Sequence, residues 1–123
     1  MSEKKQQSLE KACKNAGEGI KATATERNMR IHIVMAIIAL AAGLLLRVDW
    51  IGIAVIEACI ALVMGLECVN TAIEAVVDLA SPEYHDLAKT AKDAAAGAVL
   101  IAAIGSVLVG LMLYIPAILA LIE

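Results

Sequence analysis

Three long apolar stretches dominate the sequence and most constrain what it can fold into. We place them at residues 29–48, 50–78 and 94–122. A helix needs about 20 apolar residues to cross the hydrocarbon core of a bilayer, and each stretch is long enough. With 61% hydrophobic and only 19% charged residues, a chain of 123 residues lacks the polar exterior of a water-soluble domain. The sequence predicts an all-α membrane protein with three transmembrane helices, and we treat residues 1–123 as one domain.

The segment before the first span has a different pattern. Apolar residues recur at helical spacing between charged ones, at Leu9, Ala12, Cys13, Ala16 and Ile20. This spacing is typical of an amphipathic helix that lies on a membrane surface. We therefore predict a surface helix over about residues 1–28, with a frayed basic tail as the alternative.

Positive charges indicate how the chain crosses the membrane. They precede the first span or lie between the second and third, at Lys4, Lys5, Lys11, Lys14, Lys21, Arg27, Arg30, Lys89 and Lys92. Only Arg47 lies between the first and second spans. The positive-inside rule therefore places the N-terminus and a loop over residues 79–93 in the cytoplasm, and the C-terminus outside. The net charge of −3 offers no basic face for nucleic acid.

The three cysteines do not form a recognisable framework. Cys13, Cys59 and Cys68 are odd in number and lie in helical stretches without metal-ligand spacing. We expect them to be small packing residues, and we predict neither a disulfide nor a zinc site.

The second span carries the main functional signal. Toward its cytoplasmic end, Glu67, Asn70, Glu74 and Asp78 follow one another at spacings of three, four and four residues. This spacing places all four on one face of a helix, which we call the acidic stripe. Ionisable groups inside a span are costly and usually face a bundle interior or a wet cavity. Carboxylates this close call for a cation, and Mg²⁺ prefers their oxygens.

The loop after the second span supplies complementary groups, namely Ser81, Pro82, Glu83, Tyr84, His85, Asp86, Lys89, Lys92 and Asp93. Ser81-Pro82-Glu83 predicts a helix start, with serine as the cap and proline in the first turn. Lys92 is then expected at the membrane level of Glu74 and Asp78, where a lysine beside carboxylates suits phosphate chemistry. Glu26, just before the first span, is expected at the same level.

These residues together predict one site at the cytoplasmic interface. Phosphoryl transfer from a soluble nucleotide to a membrane-held hydroxyl fits them, although the sequence contains neither a P-loop nor a kinase glycine-rich loop. The alternative is a small ion-coupled transport or channel subunit, in which the acidic stripe carries protons or Na⁺. A transport stripe is expected near the bilayer midplane, whereas Glu74 and Asp78 approach the cytoplasmic end, which favours an enzyme.

The pattern Glu67-x-x-Asn70-Thr71-x-x-Glu74-x-x-x-Asp78 resembles the signature of the bacterial diacylglycerol kinase family, which includes the undecaprenol kinases. The resemblance covers about residues 11–116, with further blocks at residues 19–21, 26–32, 83–85, 91–93 and 95–100. It implies a homotrimeric helical bundle in the bacterial cytoplasmic (inner) membrane, with active sites shared between neighbouring subunits. It also implies ATP- and Mg²⁺-dependent phosphorylation of a lipid hydroxyl. Residues 26–32 and 86–97 look more like the Gram-positive type, which favours undecaprenol over diacylglycerol.

The same resemblance assigns roles to individual residues. Glu67 matches the general base, Glu26 and Glu74 match metal ligands, and Asn70 matches a residue needed for catalysis. Lys92 and Asp93 match residues near the nucleotide phosphates and the transferred group. Glu83, Tyr84 and His85 match nucleotide contacts.

Two features depart from the family pattern. Asn15 stands where many relatives have an aromatic residue, and Gly17 replaces another bulky residue, so the resemblance assigns no nucleotide contacts to the surface helix. Glu57 is an additional carboxylate in the outer half of the second span. It lies off the acidic stripe, and we assign it no catalytic role.

Overall fold

The computed structural model describes residues 8–123, which form four α-helices. These are α1 (Leu9–Ala24), α2 (Arg27–Leu45), α3 (Trp50–Ala80) and α4 (Asp86–Ile122). The last three are long and apolar enough to cross a membrane, so the predicted all-α fold with three spans is confirmed. Residues 1–7 of the predicted surface helix lie outside the described residues.

α1 is a separate amphipathic helix with little burial against the rest of the chain. Ser8 caps it, because its hydroxyl accepts a hydrogen bond from the Lys11 N–H at 3.3 Å. Thr23 is the one buried residue of α1, while the apolar Leu9 is exposed. An apolar face that no other helix covers is suited to a membrane surface, as the sequence predicts. Cys13 is exposed on this helix, so the packing role expected for it is wrong.

A tight turn makes α2 and α3 antiparallel neighbours. The Val48 N–H donates to the Gly43 carbonyl at 2.9 Å, which closes a Schellman-type turn at the end of α2. Arg47 has a φ of 58°, the left-handed conformation that glycine usually takes at this position. Asp49 then caps α3 by accepting a hydrogen bond from the Gly52 N–H at 2.8 Å.

α2 and α3 keep one register along their shared length. A Cβ atom on Gly43 would lie 3.2 Å from Ile56 Cδ1, and His32 Nε2 lies 3.8 Å from Glu67 Oε2. The two contacts are eleven residues apart on each helix, from 32 to 43 and from 56 to 67. Arg27, the first residue of α2, is therefore about level with Ala72. At about 1.5 Å per residue, the rest of α3 extends roughly 12 Å beyond α2.

α4 packs along α3 and completes the core. Val63, Val99 and Ala102 form the buried cluster between them. The Tyr114 hydroxyl also donates to the Ala39 carbonyl at 2.6 Å, which ties α4 to α2. With 31 and 37 residues, α3 and α4 are longer than a core of about 30 Å requires. The ends that meet between Ala80 and Asp86 therefore project beyond α2.

α4 begins later than the helix start predicted at Ser81-Pro82-Glu83 and earlier than the predicted third span. The Ser81 hydroxyl donates to the Glu83 carbonyl at 2.9 Å, which closes a turn before the helix. The cap is His85, whose Nδ1 accepts a hydrogen bond from the Leu87 N–H at 3.1 Å. The predicted start is therefore wrong, and most of the region expected as a loop over residues 79–93 is helical.

Candidate functional site

The acidic stripe runs along α3 from the helix bundle to its projecting end. Glu67 and Asn70 are buried, with 3% and 4% of their surface exposed, whereas Glu74 and Asp78 are exposed. At about 1.5 Å per residue, the stripe spans roughly 16 Å along the helix axis. One end is thus enclosed by the spans and the other is open to soluble molecules.

Glu67 occupies the inner end of the stripe, opposite α2. Its Oε2 lies 3.8 Å from His32 Nε2, and the Glu67 side chain is 4% exposed against 20% for His32. The constant register of α2 and α3 brings these two residues together. His32 is absent from the site predicted by sequence, although a polar side chain one turn inside an apolar span was a usable signal.

Asn70 lies one turn beyond Glu67 and bonds the next carboxylate of the stripe. Its Nδ2 donates to Glu74 Oε1 at 3.2 Å, one helical turn further on. Its Oδ1 is buried and has no hydrogen-bond partner in the described part of the chain. The amide therefore holds Glu74 with its donor and keeps an unused acceptor on α3, one turn from Glu67.

Ion pairs dominate the outer end of the site. Lys92 Nζ lies 2.5 Å from Asp78 Oδ1, which joins α4 to α3 and confirms that Lys92 shares the level of the stripe's last carboxylate. Lys89 and Asp93 pair one turn apart on α4. Both residues predicted to lie near phosphate, Lys92 and Asp93, thus have an oppositely charged partner in this state.

The predicted nucleotide contacts lie in the turn between α3 and α4. We call this turn, together with the projecting ends of the two helices, the projecting hairpin. Glu83, Tyr84 and His85 are all exposed, and His85 also caps α4. The Tyr84 hydroxyl donates to Asp86 Oδ1 at 2.8 Å, and this hydrogen bond raises the pKa of Tyr84 above its ordinary value. An ordered turn therefore presents these side chains at the exposed end of α3 and α4.

The predicted metal ligands lie on two different helices. Glu74 is exposed on α3, and Glu26 is exposed at the N-cap of α2, about level with residue 73 by the helix register. Within residues 8–123, no three His, Cys, Asp or Glu side chains are grouped closely enough to hold a metal ion. The donors nevertheless suit Mg²⁺, which is often held by one or two carboxylates together with substrate phosphates. Glu57 is exposed on α3, away from this region.

A comparison with protein families identifies the chain's relatives. Residues 14–114 match the family model described as "Prokaryotic diacylglycerol kinase". This match covers all the predicted site residues, from Glu26 to Asp93. It agrees with the resemblance that the acidic stripe suggests.

Individual relatives carry two different names. The chain is 50% identical to "Diacylglycerol kinase" of Synechocystis, over 81% of the chain and 58% of that protein. It is 45% identical to "Undecaprenol kinase" of Bacillus subtilis, over 83% of the chain and 84% of that protein. It is 38% identical to "Diacylglycerol kinase" of Escherichia coli K12, over 80% of the chain and 81% of that protein. The chain thus spans less than two thirds of the Synechocystis protein, but most of the other two. The chain belongs to the prokaryotic diacylglycerol kinase family, a family of lipid kinases.

Proposed function

We propose that the protein catalyses ATP- and Mg²⁺-dependent phosphorylation of a membrane-lipid hydroxyl at the cytoplasmic membrane interface. The observation that carries this proposal is the order of side chains along α3. Glu67 is buried among the spans, where a lipid hydroxyl can reach it, and Glu74 and Asp78 follow toward the exposed end. A lipid from the membrane and a nucleotide from water would therefore meet along one stripe.

We assign a different role to each residue along the stripe. Glu67 accepts the proton of the lipid hydroxyl as general base. Asn70 holds Glu74, which together with Glu26 binds Mg²⁺. When bound, Mg²⁺ neutralises charge on the nucleotide phosphates. These roles agree with the burial of the first residue and the exposure of both metal ligands.

The projecting hairpin receives the nucleotide. Lys92 exchanges Asp78 for phosphate oxygens and stabilises the transferred group, and Asp93 lies beside it. Glu83, Tyr84 and His85 contact the rest of the nucleotide from the exposed turn. The ion pair with Asp78 holds the Lys92 ammonium group in place until a phosphate binds.

Undecaprenol is the favoured acceptor, with diacylglycerol second. The Bacillus subtilis undecaprenol kinase matches over 84% of its own length, and residues 26–32 and 86–97 resemble the Gram-positive type. The higher identity to the Synechocystis diacylglycerol kinase keeps the second lipid in the test. The lipid-facing residues themselves are generically apolar and do not separate the two lipids.

The proposed site is shared between subunits. We propose a homotrimer in the bacterial cytoplasmic membrane, acting as one domain over residues 1–123, with the N-terminus inside and the C-terminus outside. In this assembly a neighbouring subunit completes the metal and nucleotide contacts. Family membership and the position of the stripe favour this enzyme over an ion-coupled transport or channel subunit.

The test is phosphate transfer by the purified protein in lipid nanodiscs. Radiolabelled ATP is supplied with undecaprenol or diacylglycerol, and label is measured in the extracted lipid. We expect Mg²⁺-dependent labelling, stronger with undecaprenol, that is lost on chelation of Mg²⁺ or in Glu67→Gln. Label in neither lipid would overturn the proposed activity, and stronger labelling of diacylglycerol would reverse the lipid preference. Full activity of Glu67→Gln in a correctly folded protein would remove Glu67 as the base.

A further inference from the structure

The buried Glu67 carboxylate has a single basic side chain within ion-pair distance in the described part of the chain. That neighbour is His32, whose Nε2 lies 3.8 Å from Oε2. The amide of Asn70, one turn along α3, donates to Glu74 instead. Burying a carboxylate without a donor is costly, so the imidazole is the group available to satisfy and orient it.

Two helices hold this pair in a defined position. His32 lies on α2 and Glu67 on α3, and the constant register of these helices is anchored at Gly43 and Ile56. The contact is therefore built from packed spans and does not depend on a mobile loop. Because the imidazole faces Oε2, the other carboxylate oxygen stays available to a substrate.

We propose that His32 is a positioning residue for the lipid kinase reaction, an inference that rests on the proposed function with Glu67 as base. The imidazole Nε2–H orients the carboxylate through Oε2, so that Oε1 accepts the proton of the lipid hydroxyl. The hydroxyl oxygen bonds to the γ-phosphorus as the bond to the β,γ-bridging oxygen breaks, and ADP leaves with that electron pair. His32 itself contacts neither substrate.

The 3.8 Å separation describes the state without substrates. It is longer than a hydrogen bond. Hydrogen bonds to catalytic groups are often long in ligand-free proteins and shorten when substrates bind. A glutamate side chain has several rotatable bonds, and a displacement of about 1 Å can reduce turnover about 10²-fold. The imidazole opposes such a displacement by holding one oxygen.

Three substitutions of His32 distinguish the loss of its hydrogen-bond donor from the loss of its packing. In His32→Gln, the amide nitrogen can reach the place of Nε2, whereas the shorter His32→Asn places its nitrogen nearer to Nδ1. His32→Leu has a volume similar to that of glutamine but offers no donor. We expect kcat to fall about 10²-fold in the leucine and asparagine variants, with little change in KM for lipid or ATP. His32→Gln should recover most of the lost kcat.

The measurements are made in nanodiscs, with wild type and Glu67→Gln alongside and with thermal stability and oligomeric state checked for each variant. Wild-type protein that transfers no phosphate would overturn the proposed function and this inference with it. Active wild type with inactive Glu67→Gln, but unchanged kcat in His32→Leu, would overturn the positioning role alone. If His32→Leu fails to fold, equal kcat in the glutamine and asparagine variants would overturn it, because a donor at Nε2 would then have no special effect.

Discussion

Asn70 forms the one hydrogen bond between side chains of the acidic stripe in the described part of the chain. Because Asn70 is buried, its amide group needs hydrogen-bond partners, and its Nδ2 donates to Glu74 one turn away. The acceptor Oδ1 remains unpaired among the described residues. Buried polar atoms are normally hydrogen-bonded, so a free acceptor next to a proposed active site is suited to a group that arrives with a substrate or a second subunit. Asn70 thus orients Glu74 with its donor and offers its acceptor, Oδ1, to an incoming group.

The substitution Asn70→Asp tests the donated hydrogen bond with almost no change in shape. Aspartate cannot donate to Glu74, and it places two carboxylates four residues apart on one helix, where they repel. We expect kcat to fall at least about tenfold, because Glu74 loses its orientation. Asn15→Asp, on the exposed face of α1, is the matched control and should change kcat little. Near-normal turnover of Asn70→Asp would show that the donated bond is not required.

At the residue scale, the sequence predicts relations within one helix and misses the contact that depends on the register of two helices. The spacing from Glu67 to Asp78 defines the stripe without knowledge of any neighbour. The short connection between adjacent spans predicts that Lys92 lies at the level of Glu74 and Asp78, and the ion pair of Lys92 with Asp78 agrees with that level. The contact of His32 with Glu67 depends on the register of α2 against α3, which spacing within either helix does not specify.

The turn between α2 and α3 sets that register at the level of the elements. Gly52 donates its N–H to the Asp49 cap at 2.8 Å, and a Cβ atom there would collide with a methyl group of Val48. The same Cβ atom would lie 3.1 Å from the Asp49 carboxylate oxygen that forms the cap. A side chain at this position would therefore disturb both the cap and the approach of α3 to its neighbours. The glycine is required by space and not by backbone conformation, since its φ is not positive.

Gly52→Ala should lower the stability of the folded protein, and Gly65→Ala is its control on the same helix. Overpacking of this kind typically costs about 1–3 kcal/mol. A Cβ atom on Gly65 meets nothing within 4 Å among the described residues, so alanine there should be neutral or slightly stabilising. Thermal unfolding in detergent compares the two variants with wild type. A larger loss in Gly65→Ala than in Gly52→Ala would contradict this order and would show that another surface packs closely on Gly65.

Element boundaries were predictable where composition changes and unpredictable where a cap decides. The second span was predicted at 50–78, and α3 covers Trp50–Ala80, because Asp49 and the apolar run mark both ends. Pro82 suggested a helix start that the chain does not use. The His85 side chain caps α4 three residues later, and a histidine cap leaves little trace in a sequence. The third span therefore extends into a polar segment that composition alone assigns to a loop.

At the scale of the whole molecule, the length of the chain and the placement of its charges predict its membrane topology, which local structure alone does not. Three spans in 123 residues leave little chain outside the membrane, and within residues 8–123 this is mainly α1 and the projecting ends of α3 and α4. Both regions carry lysines, whereas Arg47 is the one basic residue at the opposite end. From the positive-inside rule we predict that the acidic stripe faces the cytoplasm, where ATP is available. Orientation and proposed chemistry depend on the same asymmetry of charge.

Labelling of native cysteines tests this orientation directly. Cys13 is exposed on α1, whereas Cys59 and Cys68 are partly buried within α3. In a Cys59→Ser, Cys68→Ser background, a membrane-impermeant maleimide should label Cys13 in inside-out vesicles and not in intact spheroplasts. Glu123→Cys, combined with Cys13→Ser in that background, should give the opposite pattern, because three spans place the two ends on different sides. Labelling of Cys13 from the outside would invert the topology, and the stripe would then face away from the nucleotide on which the proposed reaction depends.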